Sequence, residues 1–171
     1  MSGKLQQELH RNRPFDSVQQ EVFLALVRTA DHLVRGFDEL FKPYKLSVTQ
    51  YNVLRILRAA EAEGLPCKKI GERMITRDPD ITRLLDRLEA RTLITRQRDT
   101  RDRRVVAVRI TPEGMQLLKE LEKPVLDYHQ QQLKHVDPGK LGALVDLLEV
   151  VREANVPPIV EDCSAPAPSQ V

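Results

Sequence analysis

Tryptophan is absent from this 171-residue sequence, and only three tyrosines and four phenylalanines supply aromatic rings. That scarcity argues against a nucleic-acid binder that stacks bases on aromatic platforms. Two cysteines, Cys67 and Cys163, are too few for a disulfide framework. Their spacing matches no zinc pattern and the four histidines do not cluster with them, so no metal is expected. No apolar run approaches the roughly 20 residues that cross a bilayer. Residues 1–16 are mostly polar, without the apolar stretch of a signal peptide, so a cytoplasmic protein with no membrane partner is expected. There is no Gly-rich phosphate loop, no serine or cysteine nucleophile in a recognisable elbow and no distinctive carboxylate pair. Neither an enzyme nor a cofactor is expected.

What is present suits a helical protein with a real core. Apolar residues make up 41% of the chain and charged residues 30%, and the formal net charge is only +2. That small sum hides an asymmetry. From Lys68 to Arg109 there are 13 Lys and Arg against 7 Asp and Glu, while the remainder has 14 against 18. A basic segment between acidic flanks points to a polyanion-binding module carried on a non-binding scaffold.

From Asp16 to Phe41 apolar residues recur at Val22, Leu26, Ala30, Leu33, Phe37 and Leu40/Phe41, the period of a long amphipathic helix. Pro43 ends it. Ser47-Val48-Thr49-Gln50 has the form of a capping box that opens a second helix through Leu57 and beyond, closed by Gly64 and Pro66. A third, short helix fits Pro66 to Met74. Asp78-Pro79 then reads as N-cap and first position of a fourth, running to about Arg91. Ile81, Leu84, Leu85 and Leu88 form its apolar stripe, and Thr82, Arg83, Asp86 and Arg87 its other face.

The period then changes. Leu93 to Arg96 and Val105 to Ile110 read as strands around Gln97–Arg104, a polar tip with four arginines. Thr111-Pro112 caps a further helix continuing towards Leu133, which Pro124 should kink. Asp137-Pro138 opens a last helix with Leu141, Leu144, Val145, Leu148 and Val151 on one face. Residues 1–15 are expected to be a flexible arm, and residues 156–171, with four prolines, a disordered tail. The fold class is mainly α with a small β-hairpin wing: a winged helix-turn-helix lobe plus a helical lobe.

A helix about 10–12 Å across fits the major groove, which is about 12 Å wide. Thr82 suits a thymine methyl or a phosphate, and Arg83 and Arg87 suit guanine edges or phosphates. The wing brings Arg98, Arg101, Arg103 and Arg104 beside the same duplex, where an arginine can enter a narrow minor groove.

Asp80 to Arg91 resembles the recognition helix of the MarR family of regulators, and Asp99 to Gly114 resembles that family's wing and the start of its next helix. The resemblance covers roughly Val18 to Val151 and is sharpest from Asp78 to Gly114. It implies a transcription regulator, commonly a repressor, that binds double-stranded DNA as a homodimer. Residues about 16–42 and 112–155 would form the dimerisation helices of a domain spanning 16–155, and about 47–111 the winged helix-turn-helix. The operator would be a near-palindrome with recognition helices about one turn apart. The resemblance also implies that Arg101 enters the minor groove with Asp99 orienting it, that Thr82, Arg83 and Arg87 face the major groove, and that a small phenolic or carboxylate effector releases the DNA. Arg28, His32, Tyr51 and Arg55 are polar candidates for lining its pocket, and salt bridges and surface packing explain them equally well.

Two positions depart from the family pattern. Thr92 stands where glycine is usual, so either the recognition helix ends differently or a β-branched residue is strained by about 1–2 kcal/mol. Pro79-Asp80 puts a negative charge at the DNA-facing helix start. Other readings remain beside the main one. Cys67 fits a redox-sensing regulator of the same family less well than a small packed residue. A winged helix that binds protein is opposed by its arginines, because buried interfaces are depleted of dense charge. His129 and His135, six apart, do not share a helix face.

Overall fold

The computed structural model describes residues 3–60, 63–76, 80–98 and 106–155. It orders seven α-helices and three strands among them. The expected N-terminal arm contains a short helix, α1 (Lys4–Glu8), none of whose residues is buried. Helix α2 (Val18–Phe41) opens at Ser17, whose Oγ accepts the Gln20 N–H, and passes into a 3₁₀ turn over Lys42–Tyr44. Helix α3 (Val48–Ala59) carries the capping box expected from its sequence. Ser47 Oγ accepts from Gln50 N at 3.1 Å and Gln50 Oε1 accepts from Ser47 N at 3.0 Å. Two of the orphan donors at that helix start are thereby satisfied.

Strand β1 (Leu65–Pro66) and helix α4 (Cys67–Arg73) follow. In sequence, Pro66 closes one helix and opens the next, with no strand expected between them. In the structure Leu65 pairs with Val108 and Pro66 with Ala107, so the wing is a three-stranded antiparallel sheet of order β1-β3-β2. Proline is tolerated because β1 lies at the sheet edge, where no ladder donor is demanded of it. Strands β2 (Ile94–Arg98) and β3 (Val106–Ile110) pair from Ile94↔Ile110 to Arg98↔Val106.

Helix α5 (Ile81–Ala90) starts later than expected. Its N-cap is Asp80, whose Oδ1 accepts the Arg83 N–H, and not Asp78, which with Pro79 lies outside the described residues. Helix α6 (Pro112–Leu133) runs unbroken through Pro124, and α7 (Pro138–Glu153) is capped as expected by Asp137. Thr111 caps α6, its Oγ1 accepting from Gly114 N.

The chain divides into two compact units, Met1–Gln130 and Gln131–Val171. The first holds one core, in which Phe41, Leu54, Leu57, Ile70, Leu85, Leu88, Leu118 and Leu121 are fully buried. Each such side chain contributes about 1.5–3 kcal/mol by leaving water. The second holds α7, which has no buried residue. Among the described residues no helix is long and apolar enough to cross a membrane.

Candidate nucleic-acid interface

Helix α5 is fixed from behind. Leu84, Leu85 and Leu88 of α5 are buried with Val53, Leu54, Leu57 of α3 and Ile70 of α4. That seats one stripe of α5 in the core and leaves the opposite face in solvent. On the outer face Thr82, Arg83, Asp86 and Arg87 are all exposed, as the sequence predicts. Arg83 leans back to Asp80, its Nε 3.1 Å from Oδ2, with 78% of its side chain still accessible. The Asp80 carboxylate thus both caps the helix and pairs with Arg83, which partly neutralises its charge.

The C-terminal end of α5 is held by three sets of bonds. Thr92 takes the left-handed conformation at φ 58°, with Thr92 N donating to Glu89 O and Leu93 N to Leu88 O. This is a Schellman closure built on a residue type that pays for φ > 0. Of the two outcomes open in the sequence, the strained link is the one observed. Thr92 O in turn accepts from Thr111 Oγ1 at 2.7 Å, and Leu93 O accepts from Thr111 N at 3.1 Å. The Arg91 guanidinium donates to the carbonyls of Tyr44 and Lys45, joining the helix to the turn after α2.

A residue not singled out in the sequence ties the helix to the wing. Arg96 of β2 places Nη1 2.6 Å from Asp86 Oδ1 and 2.9 Å from Glu89 Oε2, and Nη2 donates to Thr82 O at 3.2 Å. Its backbone N–H donates to Glu89 Oε1, which satisfies a donor on the free edge of the sheet. No local spacing announces this cluster, because its partners lie 7, 10 and 14 residues back and meet only when β2 folds against α5. On β3, Arg109 donates to Gln97 Oε1 across the strand pair.

The other expected site residues, Asp99, Arg101, Arg103 and Arg104, lie outside the described residues, as does the side chain of Arg98. The strands that bracket them end at Arg98 and Val106. Cys67 begins α4, half-buried against the core. Arg28 lies 4.0 Å from Glu8. Arg55 is exposed, its guanidinium 6.0 Å from the Tyr51 ring centroid. Tyr51 packs at a tilt against Phe41, and Phe37 meets Phe41, Tyr128 and His129. His135 lies past Leu133, where α6 ends. No group of three or more metal-ligating side chains occurs among the described residues.

Residues 46–106 match the model of the MarR family. The chain is 33% identical over 127 residues to an organic hydroperoxide resistance transcriptional regulator of Bacillus subtilis, covering 71% of this chain and 85% of that protein. A MarR transcription factor of known structure from Planctomyces limnophilus is 44% identical, covers 80% of this chain and 99% of its own, and superposes with a TM-score of 0.62. The structure of BpsR from Bordetella bronchiseptica, described as regulated in its DNA binding by 6-hydroxynicotinic acid, is 26% identical with a TM-score of 0.68, covering 77% of this chain and 98% of that one.

Proposed function

Because the chain belongs to the MarR family of DNA-binding transcription regulators, and not to an enzyme family, we propose that it is a homodimeric repressor whose operator is a near-palindrome. The observation that carries this reading is the seating of α5. Three buried leucines hold the helix while Thr82, Arg83 and Arg87 point outward, beside the strand pair that leads to the wing arginines. Thr82, Arg83 and Arg87 then read or grip the major groove, and Arg101, Arg103 and Arg104 serve the adjacent minor groove and backbone. Asp99 orients Arg101. The Asp-x-Arg spacing occurs at 99–101 and again at 102–104, so single replacement of each arginine separates their roles. Acting on the chromosome places the protein in the cytoplasm.

Dimerisation is supported by apolar surface that a lone chain leaves wet. Helix α7 exposes Leu144, Val145, Leu147, Val150 and Val151. In the first unit α2 exposes Val18, Val22, Phe23, Val27 and Val34. Apolar faces of this extent on helices mark a protein interface. Two-fold symmetry would then present two copies of α5 to one face of the duplex.

Release by a small phenolic or carboxylate ligand is supported by chemistry near α3. Exposed Arg55 offers a cation beside Tyr51 and the aromatic cluster of Phe37, Phe41, Tyr128 and His129, a setting suited to an aromatic acid. The ligand described for BpsR has that character.

The test is selection of bound duplexes from a random library by the purified protein, followed by affinity against salt. Recovery of a near-palindrome with a steep salt slope is expected. Weak binding indifferent to sequence, unchanged by added salicylate, would overturn the reading.

A further inference from the structure

The acidic groups on the DNA-facing side of α5 need explaining. Asp86 lies between Arg83 and Arg87 in sequence, and 53% of its side chain is accessible. Glu89 follows one turn later on the flank of the helix. A carboxylate in that place opposes phosphates within the Debye length of about 8–10 Å and lowers affinity for any duplex. In this chain both carboxylates are engaged by one guanidinium that comes from another element.

We propose that Arg96 is a positioning residue for DNA reading: its guanidinium masks Asp86 and Glu89 from the duplex and locks α5 to the root of the wing. The proposal rests on the DNA-binding reading of α5 given above. Its geometry is specific to arginine. One nitrogen serves two carboxylates and the other reaches the Thr82 carbonyl, so the planar fork spans three acceptors on successive turns of the helix. Only 25% of the Arg96 side chain is accessible, and its backbone N–H bonds the same Glu89. The strand and the helix therefore move as one body, with Arg96 facing inward where Arg83 and Arg87 face out. Losing Arg96 removes one positive charge and frees two negative ones beside the residues proposed to grip DNA.

A double-mutant cycle separates this role from simple support of the fold. Arg96→Gln, Asp86→Asn and the pair together are titrated against the selected duplex at two salt concentrations, beside thermal melts of each protein. Arg96→Gln should weaken binding about tenfold, with the larger loss at low salt, where exposed charge is least screened. Adding Asp86→Asn to it should recover most of that loss, whereas Asp86→Asn alone should change affinity less than about twofold because the carboxylate is already masked. Binding by Arg96→Gln equal to that of the parent, or no recovery in the double variant, overturns the proposal. If Arg96→Gln does not fold, Asp86→Asn decides alone: tightening of about tenfold means that Asp86 was never masked. Failure of the unaltered protein to select any duplex would instead sink the DNA-binding reading on which this one stands.

Discussion

Replacing Gly114 by alanine should destabilise this protein, although glycine to alanine in a helix ordinarily stabilises. Gly114 is buried in the first turn of α6. A Cβ built there falls 2.3 Å from the Leu93 carbonyl oxygen and 2.7 Å from Ile110 Cγ1. The first obstacle is backbone, and its oxygen is already committed to the Thr111 N–H, so it cannot retreat without breaking that bond. Relief of helix entropy contributes about 0.5–1 kcal/mol in favour of alanine. Overpacking costs about 1–3 kcal/mol and the weakened hydrogen bond about 1 more. The net expectation is a loss of about 1–3 kcal/mol, or roughly 3–10 °C in melting temperature for a chain of this length. Gly71→Ala is the control, since nothing lies within 4 Å of its Cβ in α4. It should gain a few tenths to about 1 kcal/mol. Urea unfolding followed by circular dichroism, at one protein concentration for all three proteins, reads both signs. A Gly114→Ala protein at least as stable as its parent would refute the reasoning.

Thr92→Gly should stabilise by up to about 1 kcal/mol, because glycine takes φ 58° without the penalty and gives up only an exposed Thr92 Oγ1 bond to Arg91 O; a lower urea midpoint would contradict this. Leu148→Asp should yield monomers, since a carboxylate buried without a partner in the proposed dimer contact is costly, and light scattering that still reports a dimer would move the interface elsewhere. Arg101→Ala should weaken operator binding by about 1–3 kcal/mol with melting unchanged; unaltered affinity in a fluorescence anisotropy titration would remove Arg101 from the wing contact.

Elements whose signals are local were legible in the chain. The Ser47–Gln50 capping box and the stripe of Leu84, Leu85 and Leu88 each need only neighbours within one or two turns, and both stand as read. Asp80 was harder to place, because Asp78 two residues earlier has the same capping chemistry. Strand β1 is two residues long, and its pairing partners Ala107 and Val108 lie some forty residues away in the sequence. Helix α1 buries nothing, so it leaves no apolar period to find. At the site the same division holds. Thr82, Arg83 and Arg87 face solvent as their spacing required, whereas Arg96 reads in sequence only as the last residue of a short strand. Its partners are chosen by tertiary folding. The strain at Thr92 was visible only against a family in which glycine is usual.

The bonds of Thr111 give the molecule a fulcrum. They join the exit of α5, through Thr92 O and Leu93 O, to the first turn of α6, through Gly114 N. From that point α6 runs about 24 Å, by helix rise, to Tyr128, which packs on Phe37 and leaves no room for a side chain at Gly36. A rigid arm of that length pivots by about 5° when its aromatic end is pushed sideways by about 2 Å, and α5, about 15 Å long, would swing its tip by about 1 Å. An ångström is the scale on which a hydrogen bond to a base edge is made or lost. A small guest wedged among the rings at the long end would thus be felt, with leverage of about one half, at Thr82 and Arg83, the residues proposed to meet DNA.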